Sequence, residues 1–279
     1  MKKKIYIQAP LPFQGQKRRW NSSIKAALKD FTSCTVFIDL FGGSGLLSRM
    51  VKDNRPDAFV IYNDFDGYQT RLRNVDKTNK LLSDIRALTN DVDKGTIIKG
   101  SKKDEILKRV EKADNEGYVD YITISSSLLF GTRYVTSFEK LQKEPTLYNN
   151  VRMSDYIVDD YLDGLEVVNE DYKDLFERWK YRPDVCFLID PPYLSTDTGT
   201  YTGNWMLKDY LDVLRTLKDT NYFYFTSNKS NIVELCEWMS REYAACNPFE
   251  GATVRKISSV MNFNAKYIDI MLYKRRDEE

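Results

Sequence analysis

The stretch that decides the fold is Val185-Cys186-Phe187-Leu188-Ile189-Asp190-Pro191-Pro192-Tyr193. Its five leading apolar residues, two of them β-branched, predict a strand that is buried on both faces. The two prolines prevent the hydrogen-bond ladder from continuing, so the strand must end at Asp190. A carboxylate is thereby expected at the carboxyl end of a central strand, where open α/β sheets bind their ligands.

The turn after this strand suits a planar amino group. Pro191 and Pro192 have a fixed φ and no N–H, so they form a stiff turn whose carbonyl oxygens lack internal donors. Two rigid acceptors beside the ring of Tyr193 match a group that donates two N–H protons and stacks on an aromatic face. A proline-rich turn without a chemical role is the alternative for these four residues alone.

The composition narrows the chemistry that the chain can perform. Its 279 residues are enough for one large domain or for a domain with an insertion. The absence of histidine excludes Ser-His-Asp and Cys-His catalysis and imidazole-ligated zinc. A formal net charge of +1 predicts that any contact with nucleic acid comes from a local patch.

The sequence also indicates the cellular compartment of the protein. We expect no signal peptide, no membrane span and no metal site. The four cysteines are far apart and form no C-x-x-C pair, which indicates reduced, buried residues of a cytosolic protein: Cys34, Cys186, Cys236 and Cys246.

A glycine turn follows the first predicted strand, Thr35–Phe41. The turn Gly42-Gly43-Ser44-Gly45 leads into the apolar helix Leu46–Val51, which is the opening of a nucleotide-binding βαβ unit. The glycine pattern of this unit, Gly43-x-Gly45-x-x-Ser48, ends in serine instead of glycine, and it lacks the lysine of a P-loop. A turn that brings backbone close to an uncharged part of a ligand therefore fits better than a phosphate cradle.

Asp64 ends the second predicted strand, Ala58–Asp64, and lies 19 residues beyond Gly45. This spacing is close to that of the acidic residue that accepts hydrogen bonds from ribose hydroxyls in dinucleotide-binding folds. A lone Asp at a strand end also serves as a helix cap. Together with the glycine turn, the sequence favours ribose binding.

The later pattern predicts one sheet of seven strands, with helices between the first five and an antiparallel end. Further strands are predicted at Leu165–Tyr172, Val185–Asp190, Asn221–Asn228, Lys256–Met261 and Tyr267–Tyr273. Further helices are predicted at Asn21–Phe31, Lys173–Lys180, Met206–Leu217 and Asn231–Arg241. The loop Leu194–Trp205 is a candidate for closure over a substrate. Four strand-end carboxylates should line one crevice: Asp39, Asp64, Asp171 and Asp190.

The α/β rhythm is lost between residues 71 and 163. This segment is too long for a loop, so we expect an inserted, mainly helical subdomain at 71–163, with helices near Asp104–Asn115 and Asp155–Asp163. Residues 1–70 and 164–279 would form the other domain. Cations that alternate with aromatic residues in the insertion suit nucleic acid, and an equal supply of acidic residues suits a solvated surface.

The ordered set of motifs resembles the amino-methyltransferases of the DNA adenine methylase family, the D12 class. The motifs are Phe13-x-Gly15-x-Lys17, Asp39-Leu40-Phe41-Gly42-Gly43-Ser44-Gly45, Asn63-Asp64, Asn169-x-Asp171-Tyr172 and Asp190-Pro191-Pro192-Tyr193. The resemblance covers nearly the whole chain except the insertion. It implies an α/β, Rossmann-like fold that binds S-adenosyl-L-methionine, with the substrate-recognition subdomain inserted after the second strand.

The resemblance also implies roles for individual residues. Phe13 stands where the family usually has Trp, and Lys17 would pair with the methionine carboxylate of the cofactor. Asp64 would bind the ribose, and Asp171 would lie near the adenine amino group. The other implied cofactor-binding residues are Asp39, Phe41, Gly43, Gly45 and Asp190.

The implied reaction is site-specific methylation of adenine N6 in double-stranded DNA. The target adenine must be flipped out of the duplex to reach the pocket. Asp190 and the carbonyl of Pro191, in a turn completed by Pro192, would then hold N6 while Tyr193 stacks on the base. Direct transfer of the methyl group needs orientation rather than an acid–base side chain, which agrees with the absence of histidine.

Several alternatives stay open. A Pro-Pro-Tyr turn also serves methyltransferases of cytosine N4, of guanine N2 in RNA and of protein glutamine, and a relative that binds DNA or cofactor without catalysis is a further possibility. Asp190 before the prolines and the large insertion favour adenine in DNA. We expect a cytoplasmic monomer of bacterial or phage origin, while the DNA target sequence and a restriction-modification role with a cognate restriction endonuclease stay open.

Overall fold

The structure is a computed structural model that describes residues 5–131, 133–193, 205–244, 246–262 and 265–276, except for the side chains of residues 259–266. The chain divides into two compact units. The sheet unit comprises Met1–Gln8, Lys17–Asp66 and Leu162–Glu279. The inserted unit comprises Ala9–Gln16 and Gly67–Tyr161.

The described residues form nine strands and ten α-helices. The strands are β1 (Val36–Asp39), β2 (Phe59–Asn63), β3 (Ile97–Ile98), β4 (Leu147–Tyr148), β5 (Glu166–Val168), β6 (Val185–Ile189), β7 (Asn221–Ser227), β8 (Thr253–Asn262) and β9 (Ala265–Lys274). The helices are α1 (Asn21–Ala27), α2 (Leu46–Asn54), α3 (Tyr68–Arg73), α4 (Val75–Leu88), α5 (Ser101–Asn115), α6 (Tyr121–Leu128), α7 (Phe138–Gln142), α8 (Tyr172–Trp179), α9 (Leu207–Leu214) and α10 (Ile232–Tyr243). Short 3-10 helices lie at Arg18–Trp20, Leu28–Asp30 and Arg215–Leu217.

One seven-stranded sheet organises the sheet unit, in the order β5-β2-β1-β6-β7-β9-β8. The first five strands in this order are parallel, whereas β9 is antiparallel to β7 and β8 is antiparallel to β9. The predicted seven-stranded sheet with an antiparallel end is confirmed. The connection between β8 and β9 at residues 263–264 and nearly all of the loop Leu194–Trp205 lie outside the described residues.

The strand before Asp190 is the centre of the sheet. All five residues of β6 are buried, because β1 and β7 pair with its two edges and side chains cover both of its faces. On one face Phe187 joins a cluster that includes Phe176 of α8, at 5.0 Å between ring centroids. An apolar run without polar alternation is the pattern expected of a parallel strand in this position.

The inserted unit has its own hydrophobic core, built by α4, α5, α6 and the small antiparallel pair of β3 and β4. The predicted helix at Asp104–Asn115 is observed as α5, but the helix predicted at Asp155–Asp163 is wrong. There the Asn79 side chain accepts a hydrogen bond from the Tyr156 N–H at 2.8 Å and donates one to its carbonyl at 3.0 Å. The backbone is thus bonded by a side chain instead of by a helical turn.

Three of the cysteines are buried and free, as expected, but Cys246 is exposed, so its predicted burial is wrong. Cys246 lies beyond the end of α10 and outside the strands, where the chain has no sheet partner to cover it. None of the helices in the described ranges is both long and apolar enough to cross a membrane. The same ranges contain no cluster of acidic or sulfur side chains with the arrangement of a metal site.

Candidate active site

The carboxyl ends of four neighbouring parallel strands form one edge of the sheet unit. Asp39 ends β1, Asp64 follows β2, and Asp190 follows β6. The strand order reverses between β1 and β6, because β2 and β5 continue on one side and β7 on the other. This edge therefore contains the topological switch point at which open α/β sheets bind ligands.

Asp39 is fully buried and only half satisfied. Its Oδ2 accepts a hydrogen bond from Ser48 Oγ at 2.7 Å, whereas Oδ1 meets no donor at hydrogen-bonding geometry among the residues that the structure describes. Burial raises the pKa of Asp39 to about 7; the Ser48 hydroxyl opposes the rise, and the nearby Asp190 carboxylate adds to it. A buried acceptor without a donor is costly unless a ligand supplies one.

Tyr62 of β2 holds the glycine turn after β1 by a side-chain hydrogen bond. Gly45 has a φ of +71° and its N–H donates to the carbonyl of Gly42 at 2.7 Å. The Tyr62 hydroxyl lies 2.8 Å from the carbonyl oxygen of Gly43 and 2.8 Å from Oδ1 of Asp64. The turn and the predicted ribose-binding carboxylate are thus joined by one side chain.

Two asparagines connect the loops that follow β1, β2 and β5. The Asn63 side-chain amide donates to the carbonyls of Leu40 at 3.1 Å and Glu170 at 3.0 Å, and its Oδ1 accepts from the Glu170 N–H at 3.0 Å. The Asn169 amide donates to the carbonyl of Asp64 at 2.8 Å. These bonds replace the ladder that ends with the strands, so the edge is held rigid where the carboxylates lie.

Asp190 forms an ion pair with Lys17. Both side chains are largely buried, with exposed fractions of 18% for Asp190 and 9% for Lys17. Burial raises the pKa of Asp190, and the Lys17 ammonium opposes this rise. The ammonium also lies 5.5 Å from the centroid of the Tyr193 ring and 5.8 Å from that of Phe225. One cation is therefore placed between the strand-end carboxylate and the ring that follows the prolines.

The turn itself is well supported. Pro191 and Pro192 are buried, while Asp190 and Tyr193 on either side of them are partly exposed. The hydroxyl of Tyr210, on α9, donates to the carbonyl of Tyr193 at 3.4 Å. The buried prolines form a stiff base that presents the carboxylate and the ring.

An aromatic cluster lies beside this edge. Phe41 packs against Tyr172 at 4.8 Å and Trp205 at 5.8 Å between ring centroids, and the Tyr172 and Trp205 rings are nearly parallel. Trp205 also contacts Tyr210 at 5.2 Å. The buried Tyr172 hydroxyl has no hydrogen-bond partner within the described part of the chain. Flat rings with an unmatched polar group are suited to a heteroaromatic ligand.

Asp171 is exposed and caps α8. Its Oδ1 accepts a hydrogen bond from the Lys173 N–H at 2.8 Å, and its backbone is extended, with a φ of −61° and a ψ of 131°. Asp64 has no such role, because Gly67 is the residue that precedes α3. The helix-cap alternative thus applies to Asp171, whose second oxygen remains available to a ligand.

A cavity of ≈ 300 Å³ lies elsewhere, lined by Thr35, Asn54, Arg55, Pro56, Asp57 and Ala58. It is at the amino ends of β1 and β2, opposite to the edge described above. The Arg55 guanidinium already donates to the carbonyls of Phe31 and Cys34, at 2.9 and 2.8 Å. This cavity gathers no reactive side chains, so we place the candidate site at the carboxyl edge.

Residues 13–241 match the family model of the D12 class N6 adenine-specific DNA methyltransferases. This chain belongs to that family. A protein of Haemophilus influenzae named "Putative methyltransferase" is 35% identical over 281 residues, which cover 98% of this chain and 94% of the relative. The suspected family is confirmed, the sheet is the Rossmann-like methyltransferase fold, and the chain is a methyltransferase by family and by relative.

The structure of this D12-class methyltransferase brings most of the predicted residues to one edge. The sheet unit holds Lys17, Asp39, Phe41, Gly43, Gly45, Asp64, Asp171 and Asp190–Tyr193 at the carboxyl ends of β1, β2, β5 and β6 or bonded to residues there. Phe13 belongs to the inserted unit, where its ring meets the edge of Tyr68 at 5.9 Å between centroids.

Four residues of the methyltransferase edge have no role that the sequence motifs predict. They are Ser48, Tyr62, Asn63 and Asn169, which hold the predicted residues in place. Ser48 was noted only as the last position of an incomplete glycine fingerprint. A polar residue at the end of a buried strand, as in Asn63, is the one sequence signal that could have indicated such a role.

Proposed function

We propose that this protein transfers a methyl group from S-adenosyl-L-methionine to the N6 amino group of a flipped adenine in double-stranded DNA. The observation that carries the proposal is the position of Asp190 at the switch point, paired with Lys17 and followed by a stiff turn that ends in Tyr193. Membership of the D12 class supports adenine in DNA as the substrate.

The carboxyl edge fits the proposed cofactor because it contains buried polar atoms whose hydrogen-bonding capacity is not used by the described residues. The Oδ1 atom of Asp39 lacks a donor among the described residues, and the ammonium group of the cofactor's methionine moiety is a donor of opposite charge. Asp64 would accept hydrogen bonds from the ribose hydroxyls, and Lys17 would pair with the methionine carboxylate. The cluster of Phe41 would flank the adenine ring, with the free oxygen of Asp171 near its amino group.

The proposed mechanism uses the strand-end acid as an acceptor. Asp190 and the Pro191 carbonyl would accept hydrogen bonds from the two N6–H groups, which would draw the nitrogen lone pair out of conjugation with the ring. Because an ionised carboxylate is a stronger acceptor than a protonated carboxyl group, Lys17 has a second task, which is to oppose the effect of burial on the Asp190 pKa. Tyr193 would stack on the base, and Pro192 would keep the turn rigid.

The bound cofactor would supply the electrophilic methyl group. The N6–methyl bond would form as the sulfur–methyl bond of the donor breaks, and Asp190 is placed to take the proton that N6 would then lose. Orientation of the nitrogen toward the methyl group is the main contribution of the protein in this scheme.

We also propose that the inserted unit recognises the DNA. Supporting this are the exposed cations of that unit, Lys99, Lys108, Arg109, Lys140 and Lys143, and the ring of Phe130, which is 73% exposed. Other cations of the unit are held in ion pairs, among them Arg133 with Glu144 and Lys102 with Asp91. Phosphate contacts by such cations would position a duplex without specifying its sequence.

The deciding experiment offers a labelled methyl donor with duplex DNA, RNA and protein in separate reactions. We expect label in DNA only, and nucleoside analysis should recover it as N6-methyladenine. Label at cytosine N4, in RNA or in protein would instead support the corresponding alternative. No transfer to any substrate, with the donor still bound, would indicate a binding protein.

Asp190→Ala tests the residue roles. We expect methyl transfer to fall by roughly 100-fold or more, because removal of one preorganised group in an active site typically has an effect of this size. Donor affinity should fall much less, as measured by calorimetry. Asp174→Ala, which removes an exposed acid of α8, is the matched control. Activity retained in Asp190→Ala would defeat the proposal for this residue.

A further inference from the structure

Tyr62 occupies a central position below the candidate cofactor edge. Its side chain is fully buried on β2, one residue before the strand ends. The phenol oxygen lies 2.8 Å from the Gly43 carbonyl oxygen and 2.8 Å from Asp64 Oδ1. A single hydroxyl thus bridges the glycine turn after β1 and the carboxylate after β2.

The ring of Tyr62 also shapes the turn. A Cβ atom on Gly42 would lie 2.3 Å from two ring atoms of Tyr62, which is far inside van der Waals contact. At Gly45, with its φ of +71°, a Cβ atom would lie 3.3 Å from Cζ of the same ring. The Tyr62 ring therefore leaves no room for a side chain at Gly42, while Gly45 is required by its positive φ and lies close to the same ring.

The two hydroxyl contacts compete for one proton. A phenol has a single O–H, while a carbonyl oxygen and an ionised carboxylate are both acceptors. When Tyr62 donates its proton to the Gly43 carbonyl, no proton lies between the phenol oxygen and Asp64 Oδ1. When Tyr62 donates to Asp64 instead, no proton lies between the phenol oxygen and the Gly43 carbonyl oxygen. A ligand hydroxyl that donates to Asp64 would allow Tyr62 to donate fully to Gly43.

We propose that Tyr62 is a positioning residue for the cofactor's ribose and acts through Asp64. This inference rests on the proposed function, since it takes Asp64 as the ribose-binding acid. Binding of a ribose hydroxyl settles the competition for the phenol proton and fixes the glycine turn at the same time. The hydroxyl of Tyr62 thereby favours ligands that carry the ribose hydroxyls over ligands that lack them.

The test compares Tyr62→Phe with Tyr222→Phe. Tyr222 is a matched control because it is also fully buried in a parallel strand, and its hydroxyl donates to a backbone carbonyl, that of Pro248, at 2.9 Å. Calorimetry gives the Kd of each protein for S-adenosylhomocysteine and for an analogue without the ribose hydroxyls. We expect Tyr62→Phe to weaken binding of S-adenosylhomocysteine roughly tenfold, as for a hydrogen bond to a charged group, and to leave the analogue within about twofold. Tyr222→Phe should leave both within about twofold.

The outcomes separate the two proposals. No binding of S-adenosylhomocysteine to the unmodified protein would overturn the proposed function. If the unmodified protein binds it, equal Kd values for the two phenylalanine variants, or an equal loss for both ligands, would overturn only the role of Tyr62. A Tyr62→Phe chain that does not fold would do the same, because a hydroxyl that positions a ligand site is not required for folding.

A double variant provides a second, independent measurement. In an Asp64→Asn background, Tyr62→Phe should cause no further loss of affinity, because the carboxylate through which it acts is gone. Losses that add would show that Tyr62 acts without Asp64 and would overturn the inference. Melting temperatures of all variants confirm that the compared proteins are folded.

Discussion

Two buried carboxylates, one in each unit, differ in how far their hydrogen-bonding capacity is used. In the inserted unit, Asp120 accepts from the Thr123 N–H at 3.1 Å, from Thr123 Oγ1 at 2.6 Å and from Arg71 Nε at 3.0 Å. In the sheet unit, Asp39 accepts a hydrogen bond from Ser48 on one oxygen, and its other oxygen has no hydrogen-bond partner in the described part of the chain. Both side chains are almost inaccessible to water, so burial alone does not distinguish them.

The difference separates a structural group from a candidate binding group. Asp120 caps α6 and pairs with Arg71, which also donates to the carbonyl of Pro12 at 2.7 Å. Each member of that network is bonded, as expected of a group that stabilises a fold. Burial of Asp39 is only partly compensated, since its pKa is still raised to about 7, and such perturbed groups are concentrated at functional sites.

The largest expected effect on stability comes from removing Asp120, the carboxylate whose two oxygens both accept hydrogen bonds. Asp120→Ala should lower the free energy of unfolding by about 3–5 kcal/mol, because it leaves the Arg71 charge buried without its partner. Equilibrium urea unfolding measures the change, with Glu105→Ala, an exposed acid of α5, as the control. A loss no greater than that of the control would remove the distinction between the two carboxylates.

An effect of similar size and opposite sign is expected at Asp39. Its pKa is about 7 when folded and 3.8 when unfolded, so the stability that it contributes is fully present below pH 4 and is lost as the pH rises to about 7. Asp39→Asn has no charge to bury and should exceed the unmodified protein in stability by roughly 4 kcal/mol at pH 8, with little difference at pH 4.

Urea unfolding of this variant at the two pH values measures the difference. The same substitution should weaken binding of the methyl donor, because an amide does not neutralise an ammonium group. A destabilised Asp39→Asn protein at pH 8 would show that Asp39 is as fully supported as Asp120.

The pH dependence of donor affinity sharpens the comparison further. Between about pH 6 and pH 7.5, where the donor ammonium stays protonated, ionisation of Asp39 should raise affinity roughly tenfold. Calorimetry across this range should show the rise in the unmodified protein and a flat profile in Asp39→Asn. Asp39→Asn retains Asp190, the other titrating acid at this edge, so it shows any pH dependence of affinity that Asp190 causes. Equal profiles would mean that the rise has another source.

The smallest effect is expected for an exposed carboxylate of the inserted unit. Lys102 pairs with Asp91, whose side chain is 66% exposed. Lys102→Ala should leave the unfolding midpoint unchanged at both low and high salt, because water screens such a pair. A clear loss of stability at low salt would show that an exposed ion pair of this unit contributes to stability.

The strand positions and the strand-end acids could be predicted from the sequence because they depend on local chemistry. An apolar run stopped by two prolines can only be a strand that ends at Asp190, and the glycine turn fixes the path after Asp39. The helix expected at Asp155–Asp163 failed for a non-local reason, since its backbone is bonded by Asn79, far away in the chain. Propensity gives way to such tertiary hydrogen bonds.

The sequence by itself determined the sheet, the edge at which its acids lie and the family to which the chain belongs. Only the tertiary structure decided that Lys17 pairs with Asp190 and that Tyr62 bridges the turn and Asp64. It also decided that one oxygen of Asp39 has no donor within the described ranges. Strand ends follow from residues that are neighbours in the chain. Hydrogen-bond partners depend on distances between atoms that folding brings together from remote positions, and no local pattern encodes those distances.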